Sequence, residues 1–303
     1  MIEIRPERPA DYAAIADINI RAFGNRADEA NIVALMRQRP TFTPDLALVA
    51  VADDTIVGHV LLTPCTLRLL HEDVRAVLVA PIAVDPAHQG QGIGRQLMES
   101  GHEIARQMTY DMAFLIGHTD YYPRFGYETF AFGTSQLTIA TDNLSYMPLE
   151  MRPPQPDDLP ALMDLWMHEE QWVDFALHPA PALVDWISFH PSITARVYED
   201  KGEIVGYSRT VGDQVRMFLA AHAPAAHAMA KSLGSNSGEV TLPIHPKSAS
   251  ATAFRVAPTV SAHHAGMALP FNFESPLADY FGYVRNNQIV VGRPIWFTAF
   301  DLA

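Results

Sequence analysis

The chain has 303 residues, 49% of them hydrophobic, which is enough to fill the cores of about two ordinary domains. Its formal net charge of −13 argues against nucleic acid as a partner, because phosphate binding needs a basic face. The single cysteine, Cys65, excludes an internal disulfide and suits the reducing cytoplasm. Met1–Ala10 has no apolar core, and the longest apolar runs are too short for a bilayer. We therefore expect neither a secretion signal nor a membrane partner.

The N-terminal part of the chain alternates helical and strand periodicities. Ile15, Ile18 and Phe23 mark one apolar helix face. Asp53-Asp54 separates two apolar runs and indicates a hairpin turn. In chain order the predicted elements are a strand at Ile2–Arg5, helices at Pro9–Phe23 and Glu29–Arg37, and strands at Leu46–Ala52, Ile56–Leu62, Thr66–Leu70 and Ala76–Val84.

A glycine-rich loop follows the last of these strands and precedes a helical pattern. The loop is Gln89–Gly94, and the helix that begins near Gly92 places Ile93, Leu97 and Gly101 on one face. Glycines let the backbone approach a phosphate closely, and the N–H groups and dipole of a helix start attract anions. The sequence therefore predicts a site for a phosphorylated cofactor.

The glycine spacing discriminates between cofactors. A Walker loop needs a lysine after its last glycine, but Arg95 follows Gly94. A Rossmann fingerprint needs a third glycine where this chain has Arg95 or Leu97. The remaining pattern is Q-x-x-G-x-G, and it resembles the acetyl-CoA pyrophosphate loop of the GNAT superfamily of N-acetyltransferases. The resemblance implies that the cofactor-binding residues are Ile82, Ala83, Val84, Gln89, Gly90, Gln91, Gly92, Ile93, Gly94 and Arg95.

A second motif supports the resemblance. The apolar strand Phe114–Ile116 leads into a short helical turn, and Tyr122 stands four residues before Gly126. GNAT enzymes have a tyrosine at this position, so the resemblance implies that Tyr122 is the general acid for the departing thiolate. The alternative is that Tyr122 only packs as an aromatic lid.

Pro81 interrupts the strand that precedes the loop. Proline removes a donor from a strand ladder, so we expect a bulge or an opening there. The resemblance implies that this strand diverges from its parallel neighbour and that acyl-CoA lies in the gap. The N–H groups of Ile82 and Val84 would then pair with the pantetheine amides, and an N–H near Ile82 could stabilise the oxyanion.

The general base is the least defined part of the site. GNAT enzymes often carry a glutamate on the loop strand, but Val77–Val84 contains none. Cys65 lies in a strand pattern without an assignable His–Asp pair, so we predict a buried structural thiol. The histidines His245, His263 and His264 lack fixed ligand spacing, so no metal is predicted. The candidate bases, each of which could equally be a solvated surface group, are Glu29, Glu72, Asp73, His118 and Asp120.

The remainder of the chain repeats motifs of the first part in the same order. Arg152-Pro153 repeats Arg5-Pro6, and Ile204-Val205-Gly206 repeats Ile56-Val57-Gly58. Ordered repetition predicts a second copy of the fold. Val215–Met229, where the loop would fall, has no Q-x-x-G-x-G pattern, so this copy is expected to bind no CoA.

These observations predict an α+β fold of two GNAT domains, each a mixed, mostly antiparallel sheet flanked by helices. Residues 1–148 would bind acetyl-CoA, and residues 149–303 would form a degenerate copy, joined by a linker at Leu144–Pro148 and adding a strand from Ile289–Phe300. The expected function is acetyl-CoA-dependent N-acetylation of a primary amine on a small molecule or protein. The alternative is a non-catalytic acyl-CoA-binding sensor. The sequence leaves a homo-oligomer open.

Overall fold

The computed structural model describes residues 2–145, 147–188, 190–235 and 237–288. The helices are α1 Tyr12–Ala22, α2 Asp28–Met36, α3 Ile93–Gln107, α4 Leu159–Glu170, α5 Ala223–Leu233 and α6 Leu277–Arg285. The strands are β1 Ile2–Pro6, β2 Ala47–Ala52, β3 Thr55–Leu69, β4 Glu72–Val84, β5 Met112–Ile116, β6 Gly133–Ala140, β7 Glu150–Arg152, β8 Phe175–Leu177, β9 Ile193–Asp200, β10 Glu203–Val211, β11 Gln214–Ala220, β12 Glu239–Leu242, β13 Thr259–Ala262 and β14 Gly266–Pro270.

The predicted fold class is confirmed: mixed, mostly antiparallel sheets carry helices on their faces. The first sheet has the strand order β1-β2-β3-β4-β5-β14, with β8 paired to β3, and β4–β5 is its parallel pair. One strand prediction is wrong. Ile56–Leu62 and Thr66–Leu70 belong to a single strand, β3, because β4 pairs along it from Gly58 to Leu69 and holds it extended through Pro64.

The strand β4 contains the irregularity that Pro81 predicts. Val60 pairs with Ile82 and Leu62 pairs with Val79, so β4 has one more residue than β3 across this interval. This is a β-bulge at Ala80-Pro81. The parallel ladder between β4 and β5 ends at Leu78, opposite Phe114. Beyond that point β4 and β5 diverge, and the gap between them is open.

The second half repeats the element order of the first. Its sheet has the order β11-β10-β9-β7, which corresponds to β4-β3-β2-β1, and α5 follows β11 as α3 follows β4. The repeat also includes one ion pair at the start of each half. Arg5 Nη1 lies 2.7 Å from Asp11 Oδ2, and Arg152 Nη1 lies 2.7 Å from Asp158 Oδ2.

The two halves of the chain contribute strands to each other's sheets. The strand β6 follows β5 in sequence but pairs with β12 and β13, whereas β14 pairs with β5 in antiparallel orientation. A division at residue 148 therefore separates the repeated elements but cuts across two sheets. The predicted linker contains Tyr146, and the predicted strand Ile289–Phe300 falls after residue 288; both lie outside the described residues.

Two hydrophobic clusters cover the faces of the first sheet. One includes Ile15 and Ile32 from α1 and α2, together with Phe175 and Phe281 from the second half. The other packs Leu97 and Met98 of α3 against β3, β4 and β5. Among the described residues, no helix combines the length and the apolar composition that a membrane crossing requires.

Candidate active site

A cavity of about 1720 Å³ opens where β4 and β5 diverge. One side is formed by β4 from Leu78 to Val84 and by the glycine-rich loop. The opposite side is formed by β6, β12 and the β10–β11 hairpin, so both halves of the chain line it. A ligand that lies along β4 would therefore point towards the second half.

The glycine-rich loop has the conformation that its sequence requires. Gly90 and Gly92 have φ angles of +76° and +79°, in the left-handed region that side chains disfavour. Gly94 is needed for space, since a Cβ there would lie 2.8 Å from Tyr121 Oη. The Gln89 side-chain amide donates to the Val84 carbonyl at 3.1 Å and ties the loop to β4. The loop thus presents backbone N–H groups at the start of α3. Because Gly90, Gly92 and Gly94 have no side chains, these residues do not block access to the N–H groups.

Asp85 fixes the junction between β4 and the loop. Its carboxylate accepts from the Ala87 N–H at 2.8 Å and pairs with Arg21 of α1 at 2.6 Å. The Ala87 hydrogen bond, assisted by Arg21, holds the pKa of Asp85 below its usual value. The carboxylate therefore stays ionised at neutral pH and anchors the loop to α1.

The N–H groups of Ile82 and Val84 face the gap. The Asp85 N–H donates to Val57 on β3 at 2.9 Å. Successive N–H groups of a strand alternate in direction, so those of Val84 and Ile82 point away from β3. The Val84 carbonyl, on the same side, accepts from Gln89. This edge can pair with an extended polar ligand as an added strand would.

Tyr122 is buried beside the gap. It begins a short 3₁₀ turn, Tyr122–Phe125, that ends at Gly126 with a φ of +92°. Its ring is edge-on to Tyr121, with centroids 5.1 Å apart, and it packs against Gly117, where a Cβ would collide with it. Burial, and then Tyr121, raise the pKa of Tyr122 to about 12. The phenol stays protonated through the neutral range and can donate its proton.

The structure divides the five candidate bases into two groups. Glu29 and His118 line the cavity. Glu72 and Asp73 lie at the opposite end of β4, where Asp73 pairs with Arg68 at 3.0 Å, and Asp120 is exposed outside the lining. Glu29 is buried, and its Oε2 has no hydrogen-bond partner within the part of the chain that is described.

Comparison with known proteins identifies the family. Residues 3–130 match a family model described as an acetyltransferase (GNAT) domain. The chain is 36% identical over 119 residues to the uncharacterized N-acetyltransferase YjhQ of Escherichia coli (strain K12), covering 39% of this chain and 65% of that protein, slightly under two thirds of its length. It is 35% identical over 126 residues to the uncharacterized N-acetyltransferase YhbS of the same strain, covering 41% of this chain and 72% of that protein. The chain belongs to the GNAT family of N-acetyltransferases.

The GNAT match ends before the second half, but the fold likeness continues. A GCN5-related N-acetyltransferase from Kribbella flavida superposes with a TM-score of 0.70 at 18% identity, covering 88% of this chain and 70% of that one. At this identity the likeness shows a shared fold alone. The GNAT-matched region, residues 3–130, contains the loop, Tyr122 and Glu29.

The resemblance assigned ten residues to cofactor binding. Eight of them line the cavity, and two do not. Ala83 is 2% exposed with its N–H on the β3 side, and Gln91 is exposed to solvent outside the lining. The residues that line the cavity are Ile82, Val84, Gln89, Gly90, Gly92, Ile93, Gly94 and Arg95.

The structure also describes the cysteine, the start of the second-half helix α5 and the residue types that bind metals. Burial raises the pKa of the Cys65 thiol to about 12, and its S–H donates to the Ala76 carbonyl at 3.4 Å, as a structural thiol would. In the second half, the Ala225 N–H at the start of α5 donates to His222 Nδ1 at 3.2 Å. This helix start satisfies its own donor and lacks the glycine loop of α3. Within the described ranges, no group of three or more His, Cys, Asp or Glu side chains could hold a metal ion.

The cavity also contains polar residues that no sequence motif indicated. Ser135 comes from β6 of the first half, and the second half adds Asp213 and Arg216 at the β10–β11 hairpin and Glu239 on β12. No local pattern indicates that β6 pairs with β12, so no signal in the sequence could have brought these side chains to the GNAT site.

Proposed function

We propose that this protein is an acetyl-CoA-dependent N-acetyltransferase that acetylates a primary amine of a small molecule or protein. The observation that supports it best is the convergence on one cavity of the glycine loop, the unpaired edge of β4 and the buried Tyr122. The loop offers a site for the pyrophosphate of CoA, the strand edge can pair with the pantetheine amides, and Tyr122 can donate a proton near the thioester. Membership of the GNAT family supports the same reaction.

The cofactor would lie along β4 with its pyrophosphate on the loop. The N–H groups of Gly90 to Gly94 and the dipole of α3 favour the negative charge, and Arg95 is an exposed cation beside them. The pantetheine amides would pair with Val84 and Ile82. The thioester would then lie near the bulge at Ala80-Pro81, where the acceptor side of the cavity begins.

The reaction would be a direct attack on the thioester. The acceptor ammonium would first lose a proton to water, and the neutral amine nitrogen would then form the new N–C bond as the C–S bond breaks. The nitrogen would release its second proton to water. An N–H near the bulge would stabilise the oxyanion. Tyr122 would donate its phenolic proton to the departing sulfur and recover one afterwards.

The two halves would have different roles in this reaction. Residues 1–148 would carry acetyl-CoA, and residues 149–303, a degenerate GNAT copy, would close the acceptor side through the β10–β11 hairpin and β12. A single, half-buried cysteine whose thiol has a raised pKa agrees with our proposal that the enzyme works in the reducing cytoplasm.

Calorimetric titration of the full chain with acetyl-CoA tests the binding assignment. We expect one site per chain, and loss of that site in Gly92→Val, because a β-branched residue is strained at a φ of +79° and blocks the phosphate. Gly202→Val is the matched control. Gly202 has a φ of +86° in the β9–β10 turn and is outside the cavity lining, so it carries similar backbone strain without touching the loop. Two sites, or unchanged affinity in Gly92→Val, would contradict the assignment.

A non-catalytic acyl-CoA sensor is the second candidate function. It is favoured by the absence of a carboxylate between Val77 and Val84, where GNAT enzymes often carry their base. An amine panel with detection of released thiol separates the two. An enzyme releases CoA in proportion to a productive amine, whereas a sensor binds acetyl-CoA and releases no thiol above background.

A further inference from the structure

Glu29 is a buried carboxylate with an unused oxygen. Its side chain is 10% exposed, and its Oε1 forms a long ion pair with the exposed Arg26, whose Nη2 lies 3.6 Å away. Its Oε2 is buried and has no hydrogen-bond partner among the described residues. A buried polar oxygen without a hydrogen-bond partner is destabilising, so a ligand that supplies the missing donor would stabilise it.

Glu29 lies at the end of the cavity where the thioester is expected. On β4, Leu78 and Ala80 pack in the cluster that contains Ile32 of α2, one helical turn beyond Glu29. After the bulge, Ile82 and Val84 pack in the opposite cluster, with α3. The bulge therefore moves the alternate side chains of β4 to the opposite face of the sheet, and α2, which carries Glu29, packs on the face of Leu78 and Ala80. Both Glu29 and Ile32 line the cavity.

Ser135 is a second polar group with the same properties. It lies on β6, is 5% exposed and lines the cavity, and its Oγ has no hydrogen-bond partner in the described ranges. Ser135 belongs to the strand that the first half contributes to the β12–β6–β13 sheet. The cavity thus offers an anionic acceptor from α2 and a hydroxyl from β6.

Helix stabilisation does not account for the burial of Glu29. A carboxylate in the first turn of α2 interacts favourably with the helix dipole. Asp28 already provides one there, with 33% of its side chain exposed and outside the cavity lining. An exposed Glu29 would interact with the helix dipole equally well. A ligand in the cavity, in contrast, can contact Glu29 only if its side chain faces the cavity.

We propose that Glu29 binds the ammonium group of a cationic acceptor through Oε2, and that Ser135 Oγ hydrogen-bonds a second polar group of the same molecule. The acceptor class is then a hydroxylated or otherwise hydrogen-bonding alkylamine rather than a simple alkylamine. The proposal rests on the proposed acetyl transfer for its substrate. It adds that specificity is determined by one residue from α2 and one from the exchanged strand β6.

Steady-state kinetics on the full chain test Glu29 against Asp28. We expect Glu29→Gln to raise the acceptor KM about tenfold or more, the usual weight of a charge-assisted hydrogen bond, with the acetyl-CoA KM within about twofold. Asp28→Asn should leave both constants unchanged. Ser135→Ala should weaken an amino alcohol several-fold but not the alkylamine of equal length that lacks the hydroxyl. An unchanged acceptor KM in Glu29→Gln would overturn the proposal.

Thermal unfolding of the unliganded protein gives a readout that does not depend on turnover. If Oε2 is unpaired until the acceptor binds, Glu29→Met should raise Tm by about 2–4 °C, because an apolar side chain of similar size removes the buried charge. A lowered Tm would show that Glu29 stabilises α2 and would overturn the proposal. Failure of the wild-type protein to bind acetyl-CoA would instead count against the proposed function, and the Tm comparison would still decide the role of Glu29.

Discussion

In the proposed reaction, Tyr122 is the residue on which the chemical step depends most. Tyr122→Phe removes the phenolic O–H and keeps the ring that packs against Gly117. We predict unchanged acetyl-CoA affinity and a kcat lower by about a hundredfold, the usual contribution of a general acid. Calorimetry and steady-state kinetics with a working amine measure the two effects.

The neighbouring tyrosine provides the control for this prediction. Tyr121 lies in the same turn, lines the same cavity and has its Oη against Gly94 of the loop. Tyr121→Phe should keep kcat within a few-fold. A full rate in Tyr122→Phe would leave Tyr122 with the packing role alone.

His102, on the helix α3 that follows the glycine-rich loop, should make the stability of the protein depend on pH. It lies on α3, is 3% exposed, and its Nε2 is 2.9 Å from Tyr127 Oη. Burial, and then Arg106, lower the pKa of His102 to about 4 from 6.5. The unfolded chain therefore takes up a proton below pH 6.5 while the folded protein does not. The contribution of His102 to stability is complete above pH 6.5 and is lost as the pH falls to 4.

Denaturant unfolding at several pH values tests the role of His102. Between pH 6.5 and 4 the wild type should lose about 3 kcal/mol of its free energy of unfolding through this residue. His102→Gln should lack that part of the pH dependence and keep the steeper loss at lower pH that comes from carboxylates such as Asp11. Parallel curves for the two proteins would contradict the assignment.

At the scale of elements, β5 and the turn after it position Tyr122 through one glycine. Gly117→Ala would place a Cβ against the Tyr122 ring and force it from the gap. We predict a kcat at least about tenfold lower with folding retained, because the change moves only the side chain that we propose as proton donor. Gly282→Ala on α6 is the control, since a Cβ there has nothing within 4 Å and should leave kcat unchanged. Equal kcat values for the two variants would show that the Tyr122 position is not critical.

The elements that sequence predicted well are those defined by local patterns. The α3 periodicity, the loop glycines and the bulge at Pro81 each depend on a few neighbouring residues, and the structure contains all three. The break assumed in β3 was wrong because Pro64 is tolerated when β4 pairs on both sides of it. The parallel pairing of β4 with β5 follows from the strand–helix–strand pattern, but the second partner of β5 and the partners of β6 could not be predicted. Those strands come from the other half, and any antiparallel edge satisfies the same local pattern.

At the scale of the whole molecule, one buried ion pair joins the halves. Arg39, before β2, contacts Asp185 through two hydrogen bonds of 2.9 and 3.0 Å, with side chains 1% and 0% exposed. Arg39→Met should lower the free energy of unfolding by about 3–5 kcal/mol, because Asp185 would stay buried without its directly bonded cation, keeping the Ala180 N–H and the charge of Arg209 nearby. Arg68→Met is the control: the Arg68–Asp73 pair is at the surface, with Asp73 52% exposed, and should cost at most about 1 kcal/mol. Equal losses would contradict the prediction.

The second whole-molecule prediction concerns the N-terminal half alone. A fragment of residues 1–148 lacks β14, which pairs with β5, and β12 and β13, which pair with β6. Three unpaired strand edges favour aggregation, so we predict that the fragment is insoluble or loses acetyl transfer. Expression of the fragment and of the full chain, followed by acetyl-CoA titration and transfer assays, tests this. A soluble, fully active fragment would show that the second half is an independent module.

The strand exchange also dictates when this protein can fold during its synthesis. Ile116 of β5 pairs with Gly266 of β14, about 150 residues later in the chain. A ribosome adds about 5–20 residues per second, so β5 leaves the tunnel roughly 8–30 s before β14 does. Through that interval the nascent chain carries an open edge beside an unfinished cofactor gap. The two halves therefore cannot fold one after the other, and fast overproduction should shift the product towards inclusion bodies, whereas slower translation or chaperone supply should recover it.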